Sequence, residues 1–267
     1  MKKMKQRALF MTGLLAAALV FGSVFLGCEN EDANTNGGGP QITVPKVDDL
    51  PALPVGSTAV ASQAEATALL GALEAVSSQI QAAIQTVISA QGGGNFDFTD
   101  EAGTKVTVSA KRTFPNYPET VNQNDKINES SEYASKGAVT ANTAAGGVTV
   151  ILGSTFEDKN TGSYNLTVTQ AGTMQTAYFN GTASQKNQYV YALTVTGSGN
   201  KSARIILDAA ETSSATLTNQ TGQSATWNST YTGSLKVYGA SAEPKYTLNI
   251  TNAAQYAKAR GYFGNGH

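Results

Sequence analysis

From Asn95 onward nearly everything reads as strand, because in segment after segment apolar residues alternate with Thr, Asn and Ser. In 163–170, Tyr164, Leu166 and Val168 share one side of an extended chain, and Asn165, Thr167 and Thr169 share the other. The same holds for Trp227, Tyr231, Leu235 and Val237, and for Tyr246, Leu248 and Ile250. Successive side chains of a strand point to opposite faces, so this period specifies antiparallel strands with one face on a core and one in water. A hairpin is expected first, with Phe96 and Phe98 on one strand, a turn over Asp100 to Gly103, and Val106 and Val108 on the return. A loop with Pro115 and Pro118 and an extended polar stretch to Ser130 follow. Turns are then expected at Asn142 to Gly147, Glu157 to Gly162, Ser184 to Asn187, Gly197 to Asn200, Thr221 to Ser224 and Gly239 to Pro244. The strands starting at Tyr164, Tyr191 and Tyr246 read alike and lie 27 and then 55 residues apart, as in a meander with one hairpin per unit. Any Thr-rich amphipathic strand would read the same way.

Ahead of the strands, Leu69, Leu73, Val76, Ile80, Ile84 and Val87 recur at helical spacing between Ser62 and Gln91, and Gly92 to Gly94 stop the pattern. Ser62 and Glu65 supply a cap and a first-turn acid. A helix of this length would reach about 40 Å. Its polar side carries few charges, which favours packing on a sheet over a membrane-surface role. Between Glu29 and Ser57, Gly37 to Gly39 and Pro40, Pro45, Pro51 and Pro54 defeat both helix and strand, so that stretch reads as a flexible tether.

Chemistry is constrained by scarcity. The 267 residues contain one Cys and one His, too few for a His/Cys metal site, a disulfide within the chain or a Cys–His dyad unless the two meet. The His is His267, at a chain end. No nucleophile elbow, metalloprotease helix, phosphate loop or dinucleotide fingerprint is present. Asn95, Asp97, Thr99 and Glu101 alternate oxygens faintly as a calcium loop does, but without its turn glycine and terminal acid, and a strand explains them. Charge divides unevenly: Cys28 to Glu101 holds ten acids against Lys46, whereas 102–267 holds nine acids against thirteen bases. So mild a surplus, spread over so many residues, is no nucleic-acid footprint. The expectation is no metal, no nucleic acid and no catalysis.

The first residues carry an address. Lys2, Lys3, Lys5 and Arg7 precede an apolar run from Ala8 to Gly27, which ends at Cys28 before the acidic Glu29-Asn30-Glu31-Asp32. Such a run could also span a bilayer as a retained anchor. The segment Phe25-Leu26-Gly27-Cys28 resembles the lipobox of bacterial lipoproteins, with Phe25 where that family usually has Leu. The resemblance covers only the leader. It implies removal of 1–27, and a diacylglycerol and an N-acyl group on Cys28 as the only covalent additions, with the membrane as partner through this anchor. Several acyl chains hold a protein on a bilayer effectively permanently. Glu29, rather than Asp, after the Cys leans towards the outer membrane; periplasmic and surface faces both fit.

The chain is thus expected to comprise a signal peptide (1–27), a lipidated Cys and tether (28–61), and a mainly β (α+β) domain (62–267). That domain would be a large curved antiparallel up-and-down sheet or half-barrel of about ten strands, packed on one long N-terminal helix. At fold level this resembles the half-barrel carriers of the bacterial periplasm, which hold acyl chains or other lipids. Two functions compete. With a solid core, the protein is a non-catalytic structural, adhesive or binding module of the envelope, its partner a protein or lipid that the sequence does not name. With an open groove, it carries a hydrophobic ligand between helix and sheet, lined by Tyr164, Leu166, Tyr189, Tyr191, Leu193, Trp227, Tyr231 and Leu248.

Overall fold

The structure, a computed structural model, describes residues 42–75, 94–99, 105–113, 120–143 and 148–263. The leader, Cys28, residues 76–91 of the expected helix, Glu101 and His267 lie outside them.

The strands are β1 (Thr58–Ala59), β2 (Gly94–Thr99), β3 (Lys105–Thr113), β4 (Thr120–Val121), β5 (Lys126–Thr143), β6 (Val148–Gln170), β7 (Gly172–Thr173), β8 (Tyr178–Thr196), β9 (Lys201–Gln220), β10 (Trp227–Tyr238) and β11 (Pro244–Asn249). Helix α1 covers 63–75. Helix α2 is Ala253–Gly261. The main sheet runs β11-β10-β9-β8-β6-β5-β3-β2, each strand antiparallel to its neighbours, and β1 adds to β9 in parallel. It is an open up-and-down sheet and not a closed barrel. The first hairpin forms as its alternation specifies, with Phe96 opposite Val108 and Phe98 opposite Val106.

The sheet has fewer and longer strands than expected. Glu157 to Gly162 and Ser184 to Asn187 are not turns but the middles of β6 and β8, where Asn160 pairs with Asn187 and Gly162 with Gln185. Two polar stretches that each read as a loop lie opposite one another across the ladder. The joined strands are long: β8 has 19 residues and β9 has 20, about 60–65 Å each at strand rise. The repeat of Tyr-initiated strands marks no equivalent positions, since Tyr164 pairs with Ala183 whereas Tyr191 pairs with Phe156.

Along β9, both faces are buried up to Ala210, and beyond it burial alternates with Thr212, Ser214, Thr216 and Thr218 exposed. The sequence accounts for the switch: Ile205-Ile206-Leu207 and Ala209-Ala210 put apolar residues on both faces, and the second half alternates. On the front face of the first half, Leu69, Leu70 and Leu73 of α1 and Tyr256 and Ala259 of α2 pack on Tyr191, Leu193, Ile205, Leu207, Leu235 and Val237. On the back face of the same half, Val47 and Leu50 pack on Ala192, Ile206 and Tyr238.

That back cover corrects the expected tether over 42–61, while 28–41 lie outside the described residues. From Ile42 the chain is a strap on the sheet, with Ile42, Leu50 and Val60 all buried. The Thr194 hydroxyl donates to the Pro51 carbonyl (3.0 Å), Arg204 Nη1 to that of Val47 (3.3 Å), and Asn200 Nδ2 to that of Gly56 (2.7 Å). The prolines that exclude a ladder do not exclude docking, because side chains of the sheet satisfy the strap's carbonyls.

Both helices begin with reciprocal caps. Ser62 Oγ accepts from the Glu65 N–H and Glu65 Oε2 accepts from the Ala61 N–H. Glu65 also pairs with Lys201 at 2.8 Å. Helix α2 is an addition to the expected elements, which past Asn95 are nearly all strands. Asn252 Oδ1 accepts from the Gln255 N–H (3.0 Å) while Gln255 Oε1 accepts from the Thr251 N–H (2.9 Å). No helix of the described residues is long and apolar enough to cross a membrane.

Candidate functional site

The ladder registers place the candidate residues on one face but not in one place. Odd positions of β8 and β9 and even positions of β6 share the front face, as the pairs Tyr164–Ala183 and Ala183–Ala215 require. Tyr191 and Leu193 are buried under the helices, with Tyr189, Tyr231 and Leu248 packed at the margin of that cluster. Tyr164, Leu166 and Trp227 belong to a second cluster at the other end, with Val168, Phe179 and Leu217. Val121 of β4, together with Met174 and Ala177 beyond β7, closes this second cluster. The β4–β7 pair is held by Thr120 opposite Thr173 and Val121 opposite Gly172.

Between the clusters a polar belt crosses the front face. Asn160 Nδ2 donates to Asn187 Oδ1, which also accepts from Gln185 Nε2 (3.1 Å). One strand further, Glu211 Oε1 accepts from the Tyr231 hydroxyl (3.2 Å) and from Ser213 Oγ (3.3 Å). Ser213 shares a hydrogen bond of 2.8 Å with Ser229. Gln185 and Ser213 are buried, and buried polar groups persist only where they are paired, as these are. Turn propensity in Glu157 to Gly162 and Ser184 to Asn187 hides the belt; its one legible signal is two polar stretches, each with an Asn, spaced to meet across a hairpin.

An aromatic group stands where the belt meets α2. The Tyr231 and Tyr256 rings lie 5.2 Å apart, Tyr189 and Tyr256 6.3 Å apart in an edge arrangement, and the Arg260 guanidinium sits 4.0 Å from the Tyr189 centroid. Cation–π attraction and α2's own packing hold this corner together. Burial pushes the Tyr256 hydroxyl well above the ordinary tyrosine range. The Tyr164 hydroxyl, buried in the second cluster, is pushed up to about 12. Tyr256 and Tyr164 are therefore neutral at physiological pH and serve as core aromatics, not as bases. Among the described residues, no group of three or more His, Cys, Asp or Glu side chains is placed to hold a metal.

The chain matches no family model, no curated protein and no solved structure.

Proposed function

We propose that the chain is a lipoprotein held on a bacterial envelope membrane through acyl chains on Cys28, where it acts as a non-catalytic structural, adhesive or binding module. The observation that carries this reading is the occupancy of the front face. Leu70, Leu73, Ile205, Leu207 and Leu235 fill the helix–sheet interface, each under 2% exposed. Leu166, Phe179 and Leu217 fill the far cluster to the same degree, and the belt's polar groups bond to one another. Side chains buried to this degree support a filled core over an open groove.

The leader pattern ending at Cys28 supports the anchor, and the strap shortens it. Thirteen residues separate Cys28 from Ile42, a reach of at most about 50 Å for any conformation. The module would stand close to the headgroups, with the outer membrane the favoured site.

The experiment is metabolic labelling with an alkyne palmitate, followed by fractionation of the membranes. The wild-type chain takes up label and fractionates with the outer membrane, and Cys28→Ala does neither. Label on the Cys28→Ala chain, or none on the wild type, overturns the anchor. A lipid of a few hundred daltons that co-purifies with the wild-type chain, and is lost on Leu193→Asp, would replace the structural module with a carrier.

A further inference from the structure

On its outer side strand β10 pairs with β11 from Ser234 to Tyr238. From Trp227 to Thr232 its one partner strand among the described residues is β9, with register unbroken from Trp227 opposite Ala215 to Thr232 opposite Ala210. The Gly233 carbonyl points outward, since it accepts from the Ile250 N–H at 3.0 Å. Backbone direction alternates along a strand, so Trp227, Ser229 and Tyr231 also turn N–H and C=O outward while Asn228, Thr230 and Thr232 face β9. Natural sheets blunt free edges with Lys, Pro or bulges. Here 227–232 reads Trp-Asn-Ser-Thr-Tyr-Thr, with none of these, and Asn228, Ser229, Thr230 and Thr232 are exposed.

We infer that this edge joins a second copy of the chain, the two β10 strands pairing antiparallel across a two-fold axis at Ser229. The outward groups are symmetric about that residue. A two-fold there sets Ser229 against Ser229 of the other copy and Trp227 against Tyr231 of the other copy, so all six outward N–H and C=O groups are paired. The side chains of Trp227, Ser229 and Tyr231 share the front face, which makes each Trp227–Tyr231 contact a cross-strand aromatic pair. The edge is complementary to itself, as an isologous interface must be. Two open sheets become one continuous sheet.

The test is oxidative cross-linking of the full chain carrying a single added cysteine, with the wild-type chain and its Cys28 as background. In the paired register the Cα atoms of the two Ser229 residues lie about 5.5 Å apart, within disulfide reach. Those of the two Thr232 residues lie about 20 Å apart. Ser229→Cys should therefore form a covalent dimer at least tenfold faster than Thr232→Cys. Equal rates at 229 and 232, or no dimer with either, overturn the inference. Both positions are exposed, and in Ser229→Cys the buried Ser213 hydroxyl, which loses Ser229 Oγ, keeps its hydrogen bond to Glu211.

Discussion

Gly233 and Gly181 sit inside long strands, where glycine normally weakens a sheet, and the backbone shows why they are there. Their φ angles are +126° and +144°. A Cβ at Gly233 would lie 2.0 Å from the Asp208 carbonyl oxygen, and one at Gly181 2.1 Å from that of Asn165. These are backbone atoms that no rotamer change can clear. Gly233→Ala should therefore cost about 2 kcal/mol or more of stability, read as a lower urea midpoint. Tyr164 yields a pH prediction. Its hydroxyl is raised by burial to about 12, so stability is complete below the ordinary tyrosine value near 10 and is lost as pH rises towards 12, because the unfolded chain ionises first. The loss should be on the order of 2–3 kcal/mol between those values, and Tyr164→Phe should flatten that part of the profile. The alternation identifies Tyr164, Leu166 and Tyr191 as inward-facing. It does not reveal that the first two lie at the opposite end of the sheet from the third, since that depends on register.

The elements were legible where period and caps agree. Helix α1 announces itself through Leu69 and Leu73 and the Ser62–Glu65 cap. Helix α2 carries an equivalent box in Asn252 and Gln255, but its face is poor in large apolar residues, so period alone passes over it. Removal of its cap by Asn252→Ala should cost about 1 kcal/mol and loosen the Arg260–Tyr189 corner, as amide exchange in 253–261 would report. The belt was misread for a physical reason: Asn, Gly, Lys and Ser favour turns locally, and only a partner of the same character opposite them makes a strand the better solution. Asn187→Leu removes the acceptor shared by Asn160 and Gln185. It should destabilise by about 1–3 kcal/mol despite adding apolar surface, and a urea midpoint at or above that of wild type would show the belt to be dispensable.

At the scale of the whole molecule, the sheet is clamped at one end, with helices in front and the strap behind. Its other end has an exposed Thr/Ser back face. Leu50→Ala should cost about 2–4 kcal/mol and free the strap to proteolysis between Ile42 and Ser57, because Leu50 is the strap's buried contact with Ala192, Ile206 and Tyr238. The sequence reads correctly as a large antiparallel meander with one Thr-rich face in water. It misses the strap, because Pro and Gly report what the chain cannot pair with, not what it can lie against. The proposed lipid-anchored module makes one demand on the whole protein. The most direct measurement is the native mass of the full chain after extraction from membranes. The account predicts a chain beginning at Cys28, heavier by its acyl groups alone. A mass that retains residues 1–27, or one that carries an additional apolar ligand displaced on unfolding, would contradict it.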